Sequence, residues 1–156
     1  MKGSQWKTCI KWVVLTECVG ILAGLLTRNG VEVYQQFAQK SLLTPPGWVF
    51  PVVWSILYAL MGVGMCMASG SGMQDAGQCV NLFIAQLTVN FFWPLLFFNA
   101  GAYGFALLWL IFLLILVVMM AVCFYKQVPR AGLLQIPYIL WLVFAAYLNA
   151  AAWQLN

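Results

Sequence analysis

The stretch FALLWLIFLLILVVMMAVCF, running from Phe105 to Phe124, decides the fold class, because none of its side chains carries a charge or an amide. At about 1.5 Å rise per residue a helix of this length crosses the roughly 30 Å hydrocarbon core of a bilayer. In water, a helix apolar on every side has to be enclosed completely by a large core. This chain has 156 residues, and only 6% of them are charged. Soluble domains carry about 25%. Too few charges exist to cover a water-soluble globule, whereas lipid tails need no such cover. With 65% hydrophobic residues and a mean hydropathy of +0.95, the chain reads as an all-α integral membrane protein.

Working outward from that run, the apolar blocks predict five transmembrane helices, at about 9–27, 47–69, 78–98, 103–125 and 131–153, in a single domain over 1–156. The second is expected to end at Ser69-Gly70-Ser71-Gly72. Lys2, Lys7 and Lys11 lie at the start of the first block, as in a secretory signal peptide. However, Glu17 sits in its middle, no A-x-A site follows and four more blocks come after it, so it is read as a retained helix. Residues 28–44 are the one long polar stretch and are expected to form a lid-like loop. Thr44-Pro45-Pro46-Gly47 then leads into helix two, since proline is tolerated in a helix's first turn.

Basic residues set the expected orientation. Lys2, Lys7, Lys11, Lys126 and Arg130 fall on one side, and only Arg28 and Lys40 on the other. The bias puts the N-terminus in the cytoplasm, and the C-terminus and loop 28–44 outside. The same seven residues form no basic stripe, so nucleic acid is not an expected partner. Histidine is absent and the five cysteines show no CxxC spacing, which argues against a zinc site or a His-ligated haem. Cys9, Cys18, Cys66, Cys79 and Cys123 read as small apolar packing residues.

Polar side chains inside a membrane face partners or a cavity rather than lipid. Helix three carries Gln86 and Asn90 on one face, helix two Trp54, Tyr58 and Gly62, and helix five the stripe Tyr138, Trp141, Ala145 and Asn149. These three helices are expected to converge, with helix four at the lipid-exposed periphery. Gly20 and Gly24 form a GxxxG pattern, read as close packing within the bundle. Glu17 is the one acid well inside a predicted span, a candidate proton relay or counter-ion to a cationic ligand group.

The segment Thr44-Pro45-Pro46-Gly47-Trp48-Val49-Phe50-Pro51-Val52-Val53-Trp54 resembles the translocator protein (TspO/MBR) family of tryptophan-rich sensory proteins and peripheral benzodiazepine receptors. The likeness continues through Tyr58, Met61-Gly62, Gln86, Asn90, Trp93-Pro94, Pro137-Tyr138, Trp141 and Phe144-Ala145 to Asn149. It implies a five-helix bacterial-type bundle in the inner membrane, a homodimer, and a pocket for porphyrins such as protoporphyrin IX. By motif, that pocket includes Trp54, Tyr58, Asn90, Trp93, Tyr138, Trp141 and Ala145, with Pro45 and Pro46 at its rim. The family's animal sterol motif is missing, because no Lys or Arg follows Tyr147.

Three functions follow as expectations. The first is a receptor for tetrapyrroles or similar flat hydrophobic molecules, acting in sensing, sequestration or transport. Aromatic walls with a few amides suit such a ligand, the rings supplying stacking and the amides orientation. The second is light-dependent porphyrin breakdown with Trp54 and Trp141 as redox partners, for which the ligand itself supplies the chemistry and no cofactor is required. The third is a lipid, sterol or small-solute transporter.

Overall fold

The computed structural model describes residues 3–70 and 76–156. Lys2 and the expected Ser71-Gly72 helix end lie outside them. Helices α1 (Gly3–Phe37), α2 (Val49–Ser69), α3 (Ala76–Pro94), α4 (Tyr103–Gln127), α5 (Pro129–Leu133) and α6 (Ile136–Leu155) make up the described fold. Five stretches are long and apolar enough to cross a membrane: Trp6–Phe37, Val49–Ser69, Gly77–Asn99, Tyr103–Gln127 and Pro129–Leu155. The protein is therefore an integral membrane five-helix bundle.

Two boundaries differ from expectation. The polar stretch 28–44 is not all loop, because α1 continues to Phe37 and leaves only residues 38–48 to connect it to α2. Arg28, Glu32, Gln35 and Gln36 are good helix formers, and polarity alone does not stop a helix where it leaves the bilayer. The fifth span is broken. α5 closes at Leu133, and α6 starts at Ile136 with Pro137 in its first turn, where the missing N–H costs nothing. Gln135 bridges the break by donating from Nε2 to the Leu60 carbonyl at 3.2 Å.

Beyond Pro94 the third span widens into a π-helical turn, Leu95–Asn99, with Ala100 N–H donating to the Leu95 carbonyl at 3.0 Å. Gly101 ends it at φ 60°, a left-handed conformation that needs no Cβ. This turn packs on α1, where Asn99 Nδ2 donates to the Leu26 carbonyl at 2.9 Å.

Helix α4 is not the lipid-exposed periphery. It lies between α3 and α6 and buries Leu110, Leu113, Val117, Met120 and Phe124 completely. The least enclosed helix is α1, with 11% of its most apolar window buried against 39% in each of the other four spans. Apolarity fails as a guide here because lipid tails and a protein core are equally apolar, so an all-apolar helix does not reveal its inward face.

The cysteines are not merely packing residues. Cys9 joins Cys66 between α1 and α2, and Cys79 joins Cys123 between α3 and α4, leaving Cys18 free. The partners stand 57 and 44 residues apart, on different helices, so no local spacing signals the pairing. Both bridges lie at the end of the bundle opposite the 38–48 connection.

Candidate functional site

A cavity of about 510 Å³ opens between α1, α2, α3 and α6 beneath the 38–48 connection. Each wall comes from a helical stripe. On α1, Glu17, Gly24, Arg28, Val31 and Gln35 border it, all within about 60° of one another at 100° per residue. Gly20 allows the Tyr58 ring to lie against α1, since a Cβ there would stand 2.3 Å from Tyr58 Cε2. Gly24 faces open space, with nothing within 4 Å of where its Cβ would be. The GxxxG pair therefore serves packing at one glycine and the cavity at the other.

Helix α2 supplies Trp54, Ser55 and Tyr58. The Trp54 ring lies 5.7 Å from Tyr58, 6.4 Å from Trp93 and 6.1 Å from Tyr138, centroid to centroid. From α3 and the turn after it come Asn90, Trp93, Phe97 and Phe98, with Trp93 stacked on Phe97 at 5.4 Å. Helix α6 adds Ala145, Leu148 and Asn149.

Beneath these rings runs a buried hydrogen-bond chain that crosses three helices. Tyr58 Oη donates to Asn90 Oδ1 at 2.8 Å, Asn90 Nδ2 donates to Tyr138 Oη, and Tyr138 Oη donates to Gln86 Oε1 at 3.0 Å. All four side chains are buried, Tyr138 and Gln86 completely. A second link fixes the cavity's upper wall. Trp93 Nε1 donates to Asn149 Oδ1 at 3.2 Å, and Asn149 Nδ2 donates to the Tyr103 carbonyl at 2.7 Å. Buried polar groups are costly unless paired, so these chains hold the aromatic walls in one arrangement.

The mouth is polar. Arg28 and Lys40 are exposed and border it, together with Gln35, Thr44, Pro45 and Gly47. Lys40 Nζ donates to the Gln35 carbonyl at 2.6 Å and sits 5.9 Å above the Tyr34 ring. The connection is also tied to α6. Gln39 N–H donates to Asn156 Oδ1 at 2.9 Å, Asn156 Nδ2 donates to the Gln39 carbonyl at 3.1 Å, and Ser41 and Tyr147 share a hydroxyl hydrogen bond at 3.1 Å.

Of the residues singled out in the sequence, Pro45, Trp54, Tyr58, Asn90, Trp93 and Ala145 come together on this cavity. Pro46 does not border it and accepts the Val49 N–H at 3.0 Å instead. Tyr138 lies behind the wall, in the hydrogen-bond chain. Trp141 faces a separate shallow groove with Val53, Ile56, Leu57, Pro137, Leu140 and Phe144. On α6 it stands about 60° from Tyr138, just enough to turn it away. Sequence reasoning missed Arg28, Lys40 and Gly24 as wall residues, having read the first two as topology signals and the third as packing. Position along the α1 stripe was the signal that would have found Arg28 and Gly24, whereas Lys40 lies beyond α1 in the connection.

A model of the TspO/MBR family matches residues 12–154. The chain is 33% identical to the tryptophan-rich protein TspO of Archaeoglobus fulgidus over 138 residues, covering 88% of this chain and 90% of that protein. It is 33% identical to protein CrtK of Rhodobacter capsulatus, with 93% and 90% covered. The translocator protein of Bos taurus is 31% identical, with 97% and 91% covered.

Proposed function

From the premise that this chain belongs to the TspO/MBR family, we propose that it binds a flat tetrapyrrole of the protoporphyrin kind in the cavity beneath the 38–48 connection. Binding then serves sensing, sequestration or transport. One observation carries the reading. A cavity of about 510 Å³ is walled by Trp54, Tyr58, Trp93 and Phe97, with Arg28 and Lys40 at its mouth. Drug-sized sites span about 300–1,000 Å³. Flat rings stack on the aromatic wall, and acid groups on the ring's edge meet the two bases.

In this reading the protein resides in a bacterial inner membrane as a homodimer. The five-to-two bias of basic residues supports an orientation with the start of α1 in the cytoplasm and the cavity mouth outside. The test is quenching of tryptophan fluorescence during titration of the purified protein with protoporphyrin IX. Saturable quenching at micromolar ligand is expected, weakened when Arg28 and Lys40 are both replaced by Gln. Absence of saturation in the parent protein overturns the reading.

The position of Trp54 favours a second reading, light-dependent porphyrin breakdown. Trp54 and Trp93 both border the cavity, with ring centroids 6.4 Å apart, whereas Trp141 looks into the other groove. An indole is far more easily oxidised than a benzene ring. Under light, Trp54→Phe is expected to slow loss of porphyrin absorbance, and Trp141→Phe to leave it near the parent rate. Equal rates in the parent and both variants remove the redox role.

A further inference from the structure

Among the described residues, Glu17 is the only acid that borders the cavity. Its helical neighbours three and four residues away are Val13, Val14, Gly20 and Ile21, none of which can neutralise it. Arg28 stands on the same stripe but three turns further on, about 16 Å along the axis. The polar group that borders the cavity beside the carboxylate is the Ser55 hydroxyl, a neutral group from α2. Beside it lies the Tyr58 ring, which Gly20 admits against α1, and Trp54 follows 5.7 Å beyond Tyr58. An ionisable side chain at this depth is costly in a bilayer and calls for a partner.

We infer that the inner end of the cavity is a cation site, in which Glu17 and Ser55, with the faces of Tyr58 and Trp54, take the protonated amine of a flat aromatic amphiphile. A carboxylate flanked by aromatic faces is the chemistry that recognises ammonium groups. A lipid headgroup does not fit this role, because Glu17 lies 14 residues from the start of α1 and 20 from its end, near the middle of the helix. An inorganic cation of the calcium or magnesium type fits no better, since it takes six or more oxygens and this site offers one carboxylate and one hydroxyl. The cavity is thus polarised along α1, with bases at the mouth and an acid within. It reads the two ends of a ligand by opposite charge. The inference rests on the cavity being a ligand site, and is independent of whether its ligand is a tetrapyrrole.

The experiment compares two acridines on the purified protein in nanodiscs of zwitterionic lipid, by tryptophan quenching. Quinacrine carries a tertiary amine that is protonated at neutral pH, and acridine is its neutral parent ring. The parent protein is expected to prefer quinacrine. Glu17→Gln should lower quinacrine affinity about tenfold more than acridine affinity, the equivalent of about 1.4 kcal/mol. Ser55→Ala and Glu17→Asp should reduce the same ratio by a few-fold, and they serve where Glu17→Gln does not accumulate. An unchanged quinacrine-to-acridine ratio in these variants overturns the cation site. A protoporphyrin IX titration in parallel keeps the two ideas apart. A quinacrine-to-acridine ratio unchanged by the substitutions, with saturable porphyrin binding by the parent protein, sinks only the cation site; a ratio lowered as expected in a protein that does not bind porphyrin sinks only the tetrapyrrole reading.

Discussion

Single residues decide how much space and how much order the cavity has. Gly24 keeps it open, and because nothing lies within 4 Å of its missing Cβ, a side chain there can start into the cavity without a clash. Gly24→Phe is therefore expected to abolish protoporphyrin quenching while leaving the melting temperature unchanged or higher, since glycine is about 1 kcal/mol poorer than alanine inside a helix. Gly20→Ala makes the control. Its Cβ would meet the Tyr58 ring, so stability should fall. Asn90 acts differently, because it accepts from Tyr58 and donates to Tyr138 in the buried chain. Asn90→Leu removes both bonds, each worth about 0.6 kcal/mol on average and up to about 1.7 inside bilayers. Thermal unfolding in detergent should show a lowered midpoint, and quenching should show weaker binding. A variant of parent stability would place Asn90 outside the bundle's framework.

At the scale of elements, the 38–48 connection is short and pinned at residues 39–41. Lys40 ties it to the end of α1, while Asn156 and Tyr147 tie it to α6. These bonds are exposed and compete with water, so each contributes at most about 0.5–1.5 kcal/mol. Opening them gives a route into the cavity that breaks only exposed bonds, and ligand exchange is expected to follow it. The double change Asn156→Ala with Tyr147→Phe is expected to raise the rate of ligand dissociation several-fold in stopped-flow quenching, with little change in melting temperature. A dissociation rate equal to the parent's would mean that ligand enters between α1 and α2 instead. The same elements show what sequence reading misses. Residues 28–37 look like loop because they are polar, yet they are the last turns of α1, and Arg28 reaches the cavity mouth only because the helix continues.

For the whole molecule, the two cross-helix bridges hold the end of the bundle away from the cavity. Denatured without reductant, the protein should take up one maleimide, at Cys18; after reduction it should take up five, which a mass spectrum resolves. Five labels without reductant would mean that the bridges are open in the membrane. The bridges also bear on orientation. Disulfides persist in oxidising compartments, whereas the basic residues assign this same end to the cytoplasm, so the labelling is best done on intact cells as well. The sequence by itself determined the fold class and the span count, because bilayer thickness and the lack of charge leave a run such as Phe105–Phe124 no other stable arrangement. It also determined much of the aromatic wall, through the PPGW-to-Trp54 segment and the faces of α2 and α3. Only the tertiary structure decided which face of α4 is buried, that Trp141 turns away from Trp54, which cysteines meet, and that Glu17 and Arg28 border one cavity. The physical reason is the same in each case. In a membrane, lipid and protein interior have the same polarity, so the inward face of a helix is chosen by the fit of side chains across helices, and that fit is not written in the pattern of any one helix.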